Sequence, residues 1–204
     1  MLNKIKEIKT GMNKIRTGRI IRNIAKEIAE TVRQHTKKVT KAAKIYGKHF
    51  PELNFEKMIL MAKYHDLAEY KEKDYPPGEI SKEEKHRREK IVILELQDYF
   101  GEKCNLLDIR MEFEKQETPE SQIIKQLDKL DAAIQAMEYQ KLGYDNVTNF
   151  YDDVLSKLRD PVLISILKIL LKKEFNNISY YDQYFFLLEN NGNEEKFKQH
   201  FSHL

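Results

Sequence analysis

The chain has 204 residues, enough for one domain with a real core or at most two small ones. With 41% hydrophobic and 34% charged residues it is not a disordered polymer, and a net charge of +3 makes no case for nucleic-acid binding. A single cysteine, Cys104, excludes an intrachain disulfide and is expected simply to pack.

Only 7 glycines and 5 prolines punctuate the chain, and apolar residues recur with the helical period almost throughout, so an all-α protein is expected. Residues 2–16 carry Leu2, Ile5, Ile8, Met12 and Ile15 with lysines between. Such a basic amphipathic helix can lie on a membrane or wrap a partner, but packing on its own domain is the expected use. This N-terminus has no long apolar run and no small-residue cleavage site, so no secretory signal is expected. Helices follow at 31–49, closed by Pro51, and at 55–70, before the break Pro76-Pro77-Gly78. Ser81 with Glu84 reads as a capping box opening a helix to residue 99, which Gly101 ends. A short helix at 106–113 comes next. Thr118-Pro119 then reads as an N-cap with proline at the first helical position, starting a long helix to residue 142 with Gly143 at its end. Two helices, 149–158 and 161–174, and an aromatic segment, YYDQYFFLL, complete the chain. Those aromatics are expected in the core or at a subunit contact. The apolar stretch VLISILKILL is interrupted by Ser165 and Lys168 and is too short to span a bilayer. A cytoplasmic protein with no membrane or nucleic-acid partner is expected.

The chemistry concentrates in MAKYHDLAEYKEKDYPP, residues 61–77. His65 follows Met58 and Ala62 on the inward face of its helix, and Asp66 sits about 100° round. His35 shares a face with Val39, Ala42 and Tyr46, and Asp128 interrupts the apolar set Ile124, Leu127, Leu130 and Ile134. Asp131 reads as ambiguous and open to solvation. Each histidine alone reads as a core residue with one hydrogen bond, and HD pairs arise by chance. Their order is more telling: a histidine, then HD, then an aspartate, each in a helical segment aimed at one interior. Two imidazoles and two carboxylates form a hard-to-borderline set for one divalent ion: Mn, Co, Fe, Ni or Zn. Without such an ion, buried carboxylates would take up protons.

That order resembles the HD-domain metal-dependent phosphohydrolases, and within them the 5′-deoxynucleotidases. RTGRIIRNI (16–24), ETVRQH (30–35), HDLAEYKEKDYPP, MEFEKQETPESQIIKQLDKLDAAIQAMEYQ (111–140) and NFYDDVLSKLRDP all resemble segments of that subgroup. The resemblance covers roughly residues 16 to 165 and implies an all-helical HD domain with a metal at its centre; with no linker to split the chain, a single domain over 1–204 is expected, its core at about 16–175. It implies His35, His65, Asp66 and Asp128 as ligands, Glu69 as acid/base and Asp74 as a group orienting substrate or water. It further implies release of phosphate from a nucleoside 5′-monophosphate, and a homodimer. Arg19 stands where the subgroup has tryptophan, Lys73 replaces a glycine, and two extra residues precede His35.

The roles make chemical sense. A divalent ion lowers the pKa of a water and polarises a phosphoryl oxygen. Glu69, one turn after His65, is expected to move the proton. Arg19, Arg22 and Lys129 are the candidate phosphate partners. His86, in KEEKHRREK, reads as part of a solvated face bordering the pocket. Two other readings stay open: an HD phosphohydrolase of another nucleotide phosphoester, and a non-catalytic metal- or nucleotide-binding module.

Overall fold

Short polar side chains start most of the helices. In a computed structural model that describes residues 2–14, 30–72, 75, 78–101, 105–144 and 150–203, there are ten α-helices, one 3₁₀ turn and no strand. The helices are α1 (Leu2–Gly11), α2 (Val32–Gly47), α3 (Phe55–Tyr64), α4 (Lys82–Phe100), α5 (Leu106–Lys115), α6 (Pro119–Lys141), α7 (Phe150–Lys157), α8 (Pro161–Leu171), α9 (Tyr180–Glu189) and α10 (Glu194–Phe201). The 3₁₀ turn, Leu67–Tyr70, follows α3. Arg19, Arg22, Lys73, Asp74 and Cys104 lie outside the described residues, as do the 16–24 segment and Pro76-Pro77.

Thr31 and Gln34 form a reciprocal capping box at α2, and Thr118 with Ser121 does the same at α6, where Pro119 takes the first helical position. Ser81 caps α4 by accepting the Glu84 amide. The expected box is only half made, because the Glu84 carboxylate turns to Arg87 and Arg88 instead. Gly101 and Gly143 stop α4 and α6 at positive φ of 86° and 88°, a region other residues enter at a cost.

α6 is buried on most of its circumference and forms the axis of the fold. A large apolar cluster gathers α2, α3 and α5–α10 around it, including Val39, Met58, Ile124, Leu127, Leu163 and Tyr184. The terminal aromatics join this core, with α10 as a further element beyond the expected segment. A smaller cluster holds Met12, Val32, Leu67, Tyr70, Val92, Ile93 and Leu96 between α1, the 3₁₀ turn and α4. The link from α3 into the 3₁₀ turn runs from one cluster to the other.

The basic N-terminal helix packs on its own chain. Ile8 and Met12 join the smaller cluster, and Gly11 fits so closely that an added Cβ would lie 2.1 Å from the Tyr70 carbonyl oxygen. α1 ends at Gly11, short of residue 16, because the next carbonyls serve α2: Lys14 O accepts from Val32 N at 3.0 Å and Met12 O from Arg33 N at 2.8 Å. These are two amides that a helix start leaves without internal partners. Among the described residues no helix is long and apolar enough to cross a membrane.

Candidate metal centre

His35 lies in the first turn of α2, which the Thr31 cap fixes, and its side chain is fully buried. α3 stops at Tyr64, earlier than its periodicity suggests. His65 closes it, donating its amide to Met61 O at 2.9 Å. Asp66 leaves helical geometry (φ −107°, ψ 16°), and the chain tightens to a 3₁₀ turn in which Glu69 N donates to Asp66 O at 3.0 Å. This tightening brings the Asp66 carboxylate back over the imidazole before it. Asp128 comes from the middle of α6.

The four side chains meet at one point. His35 Nε2 and His65 Nε2 are 3.2 Å apart. Asp66 Oδ2 lies 3.3 Å from His65 Nε2 and 3.5 Å from His35 Nε2, and Asp128 Oδ1 lies 3.2 Å from His35 Nε2. Donors bonded at about 2.1 Å to one cation sit roughly 3.0–3.5 Å from one another, so these separations are those of a ligand shell.

The outer nitrogens support this. His35 Nδ1 bonds Asp131 Oδ2 at 2.7 Å, and His65 Nδ1 bonds Ala62 O at 2.9 Å. A carbonyl can only accept, so His65 Nδ1 carries a proton and its Nε2 lone pair faces inward. The Asp131 carboxylate assigns His35 the same way. Two lone pairs facing each other repel, and a cation between them removes the conflict. Asp131 is therefore not solvated but fully buried behind His35. Glu30, His35 and Asp131 also lie close enough together for a cation, but only by using the nitrogen that donates to Asp131. Glu30 instead accepts from Lys38 at 3.0 Å, and its amide donates to the Tyr139 hydroxyl at 2.7 Å.

Burial alone would raise the Asp128 carboxyl. Lys129, His35 and Lys125 outweigh it and hold the group well below the usual carboxylate range. Lys129 lies 3.3 Å from Asp128 Oδ2 and is otherwise part-exposed. Glu69 is buried in the 3₁₀ turn, with Lys85 Nζ 3.8 Å from its Oε1. Lys85 also lies 3.5 Å from Glu89 Oε1. Glu89 in turn pairs with Arg110, which donates to His65 O at 2.6 Å and meets Glu114 at 2.7 Å. A chain of charges from α4 and α5 thus runs from the carbonyl of one candidate ligand to the candidate acid/base. His86 faces Glu114 at 2.7 Å on the rim of this network.

The structure brings together His35, His65, Asp66 and Asp128, with Glu69 and Lys129 beside them. Sequence reasoning left Asp131 ambiguous and missed Glu89, Arg110 and Lys125. A signal existed for two of these four: Asp131 follows Ile124 and Leu127 at helical spacing, and Glu89 precedes Val92, Ile93 and Leu96 in the same way.

A family model described as an HD domain matches residues 12–165. The chain belongs to the HD domain family. This HD domain is 30% identical over 169 residues to the human protein named 5′-deoxynucleotidase HDDC2, covering 80% of this chain and 81% of that one. The mouse protein of the same name is 31% identical over 157 residues, covering 74% and 77%. Among solved structures, a conserved hypothetical protein from Pyrococcus furiosus superposes with a TM-score of 0.63 at 26% identity, covering 82% of this chain and 99% of that one. A Pyrococcus horikoshii protein at 22% identity gives 0.64, with coverage of 94% and 99%, and shares the fold.

Proposed function

We propose that the chain is a metal-dependent phosphohydrolase that converts (deoxy)nucleoside 5′-monophosphates to nucleoside and phosphate. The observation that carries this reading is the meeting of two imidazole nitrogens and two carboxylates at one buried point, in a chain whose relatives are named 5′-deoxynucleotidases.

His35, His65, Asp66 and Asp128 would hold one divalent ion, and their nitrogen and oxygen donors suit Mn, Co, Fe, Ni or Zn. When bound, the ion supplies an acidified water and a polarised phosphoryl oxygen. Asp131 and Ala62 O keep both imidazoles turned so that Nε2 faces inward. Glu69 takes a proton from the attacking water or returns one to the leaving 5′-oxygen. Asp74 orients substrate or water, and Arg19, Arg22 and Lys129 meet the phosphate. In this reading the chain is a single domain over 1–204 acting as a cytoplasmic homodimer, and the resemblance supports the HD domain and the dimer.

Arg19, in place of the subgroup's tryptophan, favours a second reading: the same chemistry on another nucleotide phosphoester. One experiment addresses both. The protein is stripped with a chelator and reloaded singly with Mn, Co, Ni, Zn or Mg. Phosphate release is then measured from ribo- and deoxyribonucleoside 5′-monophosphates, and from di-, tri- and cyclic nucleotides. Metal-dependent release from monophosphates is expected. Release confined to the other esters selects the second reading. Metal binding with no release from any of them overturns both.

A further inference from the structure

We propose that Lys125 is a further anion partner of this centre, beside the phosphate partners named above, binding the phosphoryl group of the substrate and the phosphate ion left after hydrolysis. α6 sets Lys125 one turn before Asp128, so the two share a helix face. Its Nζ lies 4.3 Å from the centroid of the Phe113 ring, and that ring packs 5.6 Å from the ring of His65. The ammonium therefore rests on a ring that itself packs against His65.

Among the described residues the other cations nearby are engaged by protein groups. Lys129 lies against Asp128, Lys85 lies between Glu69 and Glu89, and Arg110 is held by His65 O, Glu89 and Glu114. Lys125 differs. Among the described residues its ammonium makes no hydrogen bond and no ion pair, only the contact with Phe113. Burial pushes its pKa down from 10.5, with the Asp128 charge opposing. Lys125 is half-buried, and an ammonium that lies on a ring face with no carboxylate against it is open to an arriving anion. A phosphate dianion arriving beside Asp66, Asp128 and Glu69 calls for cations around it, and Lys125 adds one on the α6 side.

This rests on the phosphohydrolase reading only for the identity of the substrate; the anion site can be tested by itself. Wild-type, Lys125→Met and Lys125→Arg proteins are loaded with Mn²⁺, and the probe is inorganic phosphate, titrated by calorimetry and used as an inhibitor of turnover. In Lys125→Met, phosphate affinity is expected to fall about tenfold or more, the loss of one charge-assisted hydrogen bond, while Mn²⁺ affinity is kept. KM for the nucleotide should rise in step, and Lys125→Arg should restore most of both. Phosphate affinity in Lys125→Met within about twofold of wild type overturns the proposal, since a true contact is worth more. So does parallel loss of Mn²⁺, or no phosphate binding by metal-loaded wild type at millimolar concentration. Should Lys125→Met not fold, Lys125→Gln is read by the same criteria. If wild type hydrolyses no nucleotide yet binds phosphate in a Lys125-dependent way, the enzymatic reading fails and the anion site stands.

Discussion

Asp131 and Glu69 divide two tasks that are both written as a buried carboxylate. Asp131 reaches His35 at its far nitrogen, 2.7 Å away, so its effect on a metal passes through the imidazole. Asp131→Asn, which can turn an amide NH₂ toward that nitrogen, should weaken metal binding by about 10–100-fold, measured by competition with a chelating dye. Glu69 lies one turn beyond Asp66. Glu69→Gln should keep the metal and lower kcat by about 10²–10⁴-fold, with little change in KM. An unchanged kcat removes Glu69 from the chemistry. Donor type and helical spacing made His35, His65, Asp66 and Asp128 legible in the sequence. Asp131 was not, because a carboxylate on a helix stripe is wet or dry according to what faces it, and what faces it here is an imidazole from a helix far back in the chain. Lys125 was hidden for the same reason: its neighbour Phe113 belongs to α5.

Capping chemistry located the starts of α4 and α6 and the glycine stops at 101 and 143. It did not locate the ends of α1 and α3, since both are ended by contacts made elsewhere. α3 gives way to a tighter turn where Asp66 turns back, and α1 stops where the carbonyls just past it cap α2. The fit of α1 on the turn is close enough to test. At Gly11 an added methyl would meet the Tyr70 backbone, which cannot rotate aside as a side chain could. Gly11→Ala should cost about 1–3 kcal/mol in denaturant unfolding, the usual range for overpacking. Because Tyr70 adjoins Glu69, the same variant should lower turnover while leaving metal affinity intact. Wild-type stability in Gly11→Ala would mean that α1 does not bear on the turn in solution.

The two apolar clusters are joined through the segment that carries His65, Asp66 and Glu69, so loading the centre should be felt across the fold. His35 belongs to α2, Asp128 to α6, and the pair between them to the link from α3. An ion that binds this assembled set and not the unfolded chain stabilises the fold by about 2.7 kcal/mol at a hundred times its Kd. A single melting transition that rises with Mn²⁺, and falls back on chelation, is the expected result by calorimetry. Two transitions, of which only one moves with metal, would show that the clusters unfold separately. The helical class of the protein was plain from its periodicity, since few glycines or prolines interrupt it. The division into two clusters was not, because an apolar stripe says that a face is covered and never by which neighbour.

The two groups that orient the imidazoles also differ in how they can be lost. Behind His35 stands a side chain, Asp131, and behind His65 stands the main-chain oxygen of Ala62. A single codon change can erase the first. No codon change can erase the second, because every amino acid brings a carbonyl to position 62, and only bulk or a shifted backbone could spoil it. Mutational drift therefore reaches the centre more readily through the α6 side, and half of its support is beyond the reach of the genetic code.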